Sequence, residues 1–196
     1  MRIEKGIVIF VTGGASGLGE ATVRMLHAKG ASVAVADMND ERLAMLTNEL
    51  TERYLSIKCD VTKEQDVKAA VEKTVETFGA LHAAIACAGV AWAGMTLTSK
   101  GSLDMGLFEK VVQINLYGSA YVAKFAAVAM SKNKPVNDRG EKGVIIFVSS
   151  VAGEEGQRGQ VAYGATKGAI NGMVMPMARD LGKFGIRVAA IAPGIF

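Results

Sequence analysis

"IVIFVTGGASGLGEAT" (residues 7–22) sets an apolar, β-branched run directly against a glycine-rich turn and the start of a helix. The run from Ile7 to Thr12 carries no charge, which suits a strand buried on both faces. Gly13, Gly17 and Gly19 follow in a Gly-x-x-x-Gly-x-Gly spacing, and they let the chain turn tightly into a helix expected over residues 18–29. A helix that opens there aims its unpaired N–H groups and the positive end of its dipole at the turn, which makes a place for an anion. Strand, glycine turn and helix in this order are the repeating unit of a parallel sheet.

The rest of the chain repeats the unit. "SVAVA" (32–36), "YLSIKC" (54–59), "LHAAIA" (81–86), "GVIIFVSS" (143–150) and "IRVAAIA" (186–192) are five further strand candidates. Helical patterns lie between them near 40–50, 63–77, 105–131 and 160–182. Thr62 and Gln65 have the spacing of a capping box, which would start the third helix. The fold class is therefore α/β, a single doubly wound parallel sheet of the Rossmann type over residues 1–196. "SKNKPVNDRGEKG" (131–143) reads as a surface loop, and 94–106 as an extra loop.

The helices around "GSAYVAKFAAVAM" and from Val161 to Met177 carry one lysine each, Lys124 and Lys167, so they are apolar nearly all round. Such helices need cover on both sides, and a partner subunit would supply the second. Gly164, Gly168 and Gly172 repeat every four residues, a pattern that close packing in a water-soluble fold explains. Half of the 196 residues are hydrophobic and the net charge is +3 with both signs interspersed. No basic block calls for nucleic acid, no stretch is long and apolar enough to span a bilayer, and the start of the chain leaves no room for a cleaved leader. Cys59 and Cys87 are too few for a disulfide framework and too scattered for a metal site, so both read as reduced thiols and no metal is expected.

Asp37 gives the glycine turn its meaning. It ends the second strand 24 residues after Gly13, where a carboxylate can accept hydrogen bonds from both hydroxyls of an adenosine ribose. The same charge repels a 2′-phosphate, and no Arg or Lys lies between Gly13 and Gly19 or directly after Asp37, so NAD is expected over NADP. Rival motifs are missing. The glycine loop has no Lys-Ser/Thr ending, no Gly-x-Ser-x-Gly elbow occurs, and His27 and His82 read as surface or helix-end histidines outside any nucleophile constellation.

"AYGATKGAI" (162–170) then places a phenol, Tyr163, and an ammonium, Lys167, on one helical face. An ordinary phenol ionises near pH 10, and lowering that by three units takes about 4 kcal/mol, which an ammonium at roughly 4 Å supplies at an effective dielectric near 20. Ser150, thirteen residues before Tyr163 at the end of a strand, reaches the same C-terminal edge of the sheet.

With "TGGASGLG", Asp37, Asp60 in "CDV", Gly89 in "CAG", Asn115 in "QINLYG", Ser150, "YGATK" and Pro193-Gly194 all present, the chain resembles the short-chain dehydrogenase/reductase family over its whole length. The resemblance implies an NAD-dependent oxidoreductase moving hydride between a secondary alcohol or ketone and nicotinamide. It implies Tyr163 as general acid/base, Lys167 as the group that favours its ionised form and holds the nicotinamide ribose, Ser150 as the orienter of the reacting oxygen, and Asn115 as the organiser of a relay water. Cofactor contacts would come from Gly13, Ser16, Gly17, Leu18, Gly19, Asp37, Asp60, Val61, Cys87, Gly89, Tyr163, Lys167, Pro193 and Ile195. Around Ser150 to Ile195 the chain is especially similar to the branch acting on short 3-hydroxyacyl-CoA in fatty acid metabolism, where Gln157 would touch substrate together with Ser150 and Tyr163. As a polar loop residue Gln157 needs no such role. The branch also implies a homotetramer or homodimer, in the cytoplasm or, in a eukaryote, the mitochondrial matrix. A hydroxysteroid or other secondary-alcohol dehydrogenase, and a catalytically idle NAD-binding scaffold in an RNA-processing complex, remain as alternatives.

Two departures stand out. Ala86-Cys87-Ala88-Gly89 replaces the family's Asn-Asn-Ala-Gly or Asn-Cys-Ala-Gly, losing an amide at a strand end. The family also continues beyond Pro193-Gly194 into a substrate-covering lid and a last strand, so a shortened chain is expected.

Overall fold

The computed structural model describes residues 1–194. In chain order its elements are β1 (Val8–Thr12), α1 (Gly17–Ala28), β2 (Ser32–Asp37), α2 (Asp40–Glu49), β3 (Tyr54–Lys58), α3 (Glu64–Phe78), β4 (Ala83–Ala86), a hairpin of β5 (Leu97–Thr98) and β6 (Gly101–Ser102), α4 (Met105–Val111), α5 (Gly118–Ser131), β7 (Gly143–Val148), α6 (Val161–Gly182) and β8 (Ile186–Ile191). Six strands form one sheet in the order β3-β2-β1-β4-β7-β8, and every pairing in it is parallel. The winding reverses between β1 and β4, so a crevice opens there at the C-terminal ends of the strands.

Alternation along each strand divides two cores. Phe10, Ala34, Ala84, Ile145 and Phe147 face α3, α5 and α6, while Ile9, Val11, Val33, Val35, Ile85 and Val144 face α1 and α2. Large and small residues share the first face, so the two phenylalanines fit above the alanines of β2 and β4. Arg187, Ala189 and Ile191 on β8 remain exposed, so the α1 and α2 layer does not reach that strand. Val128 on α5 and Val161 and Met175 on α6 also stay exposed, the outward apolar surface expected of these helices. No helix among the described residues is long and apolar enough to cross a membrane.

Four details differ from the expectations. The helix expected over 105–131 is interrupted between α4 and α5, where Val112–Tyr117 wind as a π-helix and the Gly118 N–H reaches back five residues to the Gln113 carbonyl. The Thr62–Gln65 capping box does not form: α3 starts at Glu64 with Lys63 at its N-cap. Thr62 instead gives its N–H (3.0 Å) and its hydroxyl (2.7 Å) to Asp60 Oδ1, a charged acceptor close at hand that outcompetes a helix end. His82 is half-buried at the start of β4, and its Nδ1 accepts the Val8 N–H at 3.0 Å. Burial holds its pKa below the ordinary value, which keeps that nitrogen bare. Finally, 94–106 contains the β5–β6 hairpin, and the Gly94 N–H pins it to the Gly159 carbonyl at 2.8 Å.

Candidate active site

The glycine turn packs against the chain just beyond β4 and against the start of α1 too closely for side chains. A Cβ on Gly13, whose φ is +64°, would lie 2.7 Å from Ala88 Cα, and one on Gly19 would lie 2.1 Å from the Gly13 carbonyl oxygen. Ser16, at the N-cap of α1, makes no side-chain cap, and the N–H groups of Gly17, Leu18 and Gly19 find no acceptor among the described residues. They open onto a cleft of about 830 Å³ lined also by Asp37, Asp60, Val61, Cys87 and Gly89. Asp37 is held rigidly: Oδ2 accepts the Ala15 N–H at 3.1 Å and Oδ1 the Asn39 N–H at 3.0 Å. The carboxylate thus stands fixed at the end of β2, at one end of the cleft.

A smaller cavity of about 230 Å³ adjoins it and shares Leu18, Cys87, Gly89, Val90 and Val148 as a common wall. Ser150, Tyr163, Lys167 and Pro193 complete this cavity, and Lys167 is the one charged side chain among its described lining residues. α6 comes close because it has no side chains in the way: a Cβ on Gly164 would sit 2.8 Å from the Ala152 carbonyl oxygen and one on Gly168 3.2 Å from that of Gly153. Gly172 meets nothing within 4 Å, so only two of the three periodic glycines are packing glycines. The turn they pack against is the 3-10 turn Val151–Gly153, which Ser150 caps by accepting the Ala152 N–H at Oγ, 3.1 Å away. The Ser150 hydroxyl hydrogen is left to point into the cavity.

Lys167 is 6% exposed, donates from Nζ to the Val148 carbonyl at 2.7 Å, and lies 5.4 Å from the centre of the Tyr163 ring. Burial lowers its pKa from 10.5 to about 8, with the neighbouring Cys87 opposing the shift. Burial likewise pushes the Cys87 thiol up to about 11. Asn115, at the centre of the π-helical segment, is wholly buried. Its Oδ1 accepts the Val90 N–H at 2.8 Å, and its Nδ2 donates to the Val90 carbonyl at 3.0 Å and to Thr166 Oγ1 at 3.2 Å. Both amide hydrogens are therefore taken, and its backbone carbonyl accepts the Ser119 hydroxyl at 2.7 Å.

Gln157 stands apart. It is exposed, absent from the cavity lining, and its side-chain amide turns to the Glu155 carbonyl at 3.3 Å. Ile195 lies outside the described residues. The sequence reading missed three buried hydroxyls that hold the site. Ser149 donates to the Lys167 carbonyl at 3.1 Å, Thr166 donates to the Tyr163 carbonyl at 2.8 Å, and Thr12 accepts the Ala88 N–H at 3.4 Å beside the alanine that replaces the expected amide. Ser149 and Ser150 both line the small cavity just beyond β7, and only the hydroxyl of Ser149 turns to α6.

A family model described as short chain dehydrogenase matches residues 7–196. A 3-hydroxyacyl-CoA dehydrogenase type-2 from Bos taurus is 43% identical over 197 residues, covering 100% of this chain and 75% of the bovine protein. The crystal structure of a 3-hydroxyacyl-CoA dehydrogenase type-2 from Mycobacterium avium superposes with a TM-score of 0.93 at 39% identity, covering 100% of this chain and 77% of that one. An NAD+-bound xylitol dehydrogenase superposes with a TM-score of 0.87 at 32% identity, covering 98% of this chain and 72% of its own.

Proposed function

We infer the reaction from one premise: the chain belongs to the short-chain dehydrogenase family. It is an oxidoreductase acting on CH–OH donors, and the substrate we assign is a short 3-hydroxyacyl-CoA, oxidised to the 3-ketoacyl-CoA with NAD. The observation that carries the reading is the meeting of Ser150, Tyr163 and Lys167 in one small cavity that shares a wall with the cleft ending at Asp37. The names of the bovine and mycobacterial relatives support the thioester.

The residues fit NAD. Unclaimed N–H groups at the start of α1 suit its pyrophosphate, and the fixed Asp37 carboxylate suits an adenosine ribose with free hydroxyls. Lys110 is the one basic side chain among the described residues lining the large cleft, and Lys58, the register partner of Asp37 on β3, is engaged by Asp40, which leaves little to neutralise a 2′-phosphate. Gly13, Ser16, Gly17, Leu18 and Gly19 would hold the pyrophosphate, Asp60 and Val61 the adenine end, and Cys87, Gly89, Tyr163, Lys167, Pro193 and Ile195 the nicotinamide end. When bound, NAD supplies the two-electron acceptor.

The chain's own residues handle the proton. Ser150 donates its hydroxyl hydrogen to the substrate oxygen, the Ala152 N–H taking one lone pair of Oγ and leaving that hydrogen free. Tyr163 takes the hydroxyl proton, with the Lys167 ammonium facing its ring and shielded from solvent. Lys167, whose Nζ donates to the Val148 carbonyl, would also hold the cofactor ribose. A relay water at Asn115 is left with the second lone pair of Oδ1, since both amide hydrogens are committed. Gln157 receives no part in this scheme. The exposed residues of α5 and α6 would be covered in a homodimer or homotetramer. Two reduced thiols fit the cytoplasm or, in a eukaryote, the mitochondrial matrix.

The test is steady-state NADH formation from 3-hydroxybutyryl-CoA, the reverse reaction with acetoacetyl-CoA, and a hydroxysteroid in parallel. A steroid kcat/KM tenfold or more above that of the thioester overturns the acyl-CoA assignment and leaves the dehydrogenase. Tyr163→Phe should lower kcat by at least about 10²-fold, the lower end of the general acid/base range, while NAD affinity stays nearly unchanged.

A further inference from the structure

Tyr163 and Lys167 lie one turn apart, but the contacts that set the height and tilt of that turn come from off the helix. Thr166 sits between them and is 1% exposed. Its Oγ1 donates to the Tyr163 carbonyl at 2.8 Å and accepts from Asn115 Nδ2 at 3.2 Å. The direction of both bonds is forced, because an amide nitrogen can only donate and the hydroxyl must then aim its single hydrogen at the carbonyl. Asn115 is itself clamped to Val90 through Oδ1 and its other amide hydrogen. One chain of hydrogen bonds therefore runs from the Val90 turn, which lines both the large cleft and the small cavity, through the π-helical segment to the backbone of Tyr163.

We propose that Thr166 is a positioning residue for the reaction, its hydroxyl fixing the turn of α6 that carries Tyr163 and Lys167 against the Val90 turn. The inference rests on the reading of Tyr163 as the proton-exchanging group. In a regular helix the Lys167 N–H also reaches the Tyr163 carbonyl, so the Thr166 hydroxyl makes a second claim on that oxygen. Back-bonding of this kind bends a helix locally, and tilt at this turn moves phenol and ammonium together. With Asn115 and Thr166 both buried, no solvent molecule can substitute for the missing hydroxyl. Displacement of a reacting group by about 1 Å costs on the order of 10²-fold in rate, so a modest loss of tilt is enough to be read.

Thr166→Val keeps the volume and removes the hydroxyl, and Thr166→Ser restores it. Both go into the full chain beside Tyr163→Phe, with kcat and KM for 3-hydroxybutyryl-CoA followed against pH, NAD affinity by calorimetry and Tm by calorimetric scan. Thr166→Val should lower kcat at least about tenfold, with KM and NAD affinity within about threefold of the parent, and Thr166→Ser should recover most of the rate. A kcat for Thr166→Val within about twofold of the parent overturns the inference, and so does a serine variant no faster than the valine one. Should Tyr163→Phe keep its turnover, the Tyr163 reading falls and the inference with it. An inactive Tyr163→Phe beside a fully active Thr166→Val sinks Thr166 alone.

Discussion

Lys167→Met should stabilise the protein while ending its chemistry. The ammonium is 6% exposed, and burial brings its pKa from 10.5 down to about 8. That difference of about 2.5 units corresponds to roughly 3.4 kcal/mol for keeping the charge inside the fold near neutral pH. Methionine has a similar shape and no charge, but it leaves the Val148 carbonyl without its 2.7 Å donor, at a cost of about 1–3 kcal/mol. The net is a gain of about 0.4–2.4 kcal/mol at pH 7, or a rise in Tm of roughly 1–10 °C for a chain of this size. The pH dependence is the sharper part. Between about pH 8 and 10.5 the unfolded lysine binds more protons than the folded one, so the parent gains stability as pH rises through that window. The advantage of the variant should therefore shrink by about 2 kcal/mol between pH 7 and 9.5, enough to cancel most of it or reverse it. Urea denaturation of both proteins without cofactor at those two pH values measures this directly. A variant less stable than the parent at pH 7, or an advantage that ignores pH, would refute the idea that the buried charge is held at a cost.

His82→Gln should flatten the acid side of the stability profile. The folded histidine has a lowered pKa, so the unfolded chain binds more protons as pH falls through the mid-6 range, and stability drops there in the parent. Tm followed from pH 7.5 to 5.5 checks this, and an equal slope in both proteins contradicts it. Glu141 does not confuse the result. Burial would raise its carboxyl, but hydrogen bonds from the amino terminus, Arg187 and Asn137 outweigh that and hold it at about 2, so its contribution is lost only below about pH 4.5. Asp37→Ala should narrow the preference for NAD over NADP by about tenfold or more, because a repulsion towards the 2′-phosphate disappears together with an attraction to the ribose. Calorimetric titration of both cofactors decides it, and equal or tighter NADP binding by the parent would end the NAD assignment.

The sequence made the framework legible because its signal is one-dimensional. Apolar runs bounded by turns mark buried strands, and all six sheet strands appear where Ile7–Thr12 and its successors suggest, within one or two residues, with Lys58 and Arg187 confined to the two edge strands. The glycine turn and Asp37 were readable for a similar reason, since only particular residue types permit that turn and that charge. What stayed hidden depends on competition in space. The sequence offered Thr62 a helix end, and nothing in its spacing says that the Asp60 carboxylate lies closer. From Phe108 to Tyr117 no glycine or proline interrupts the helical pattern, so a slip of helical phase at Asn115 leaves no mark on it. Ser149 and Thr166 look like any hydroxyl residues, and their importance comes from burial against carbonyls of α6. Gln157 came from the resemblance alone, and its side chain lies on an exposed loop, turned to the Glu155 carbonyl.

The wide turn at Val112–Tyr117 also decides where this chain can change its length. A π turn holds one residue more than an α turn, so α5 is rotated by about 100° from the bearing that a straight continuation of α4 would give it. Deleting one residue here would yield a longer, more regular helix, yet it would force a choice. If Val122, Ala126 and Met130 keep their place against the sheet, then Val111 and Lys110 swing away from theirs; if α4 holds, the buried face of α5 turns outward. The β5–β6 hairpin carries no such constraint, because its exposed tip is tied down only near its base, at Gly94. Insertions and deletions among related chains should accordingly collect around residues 95–103 and avoid 112–117, even though the second segment, viewed as helix geometry alone, is the less regular of the two.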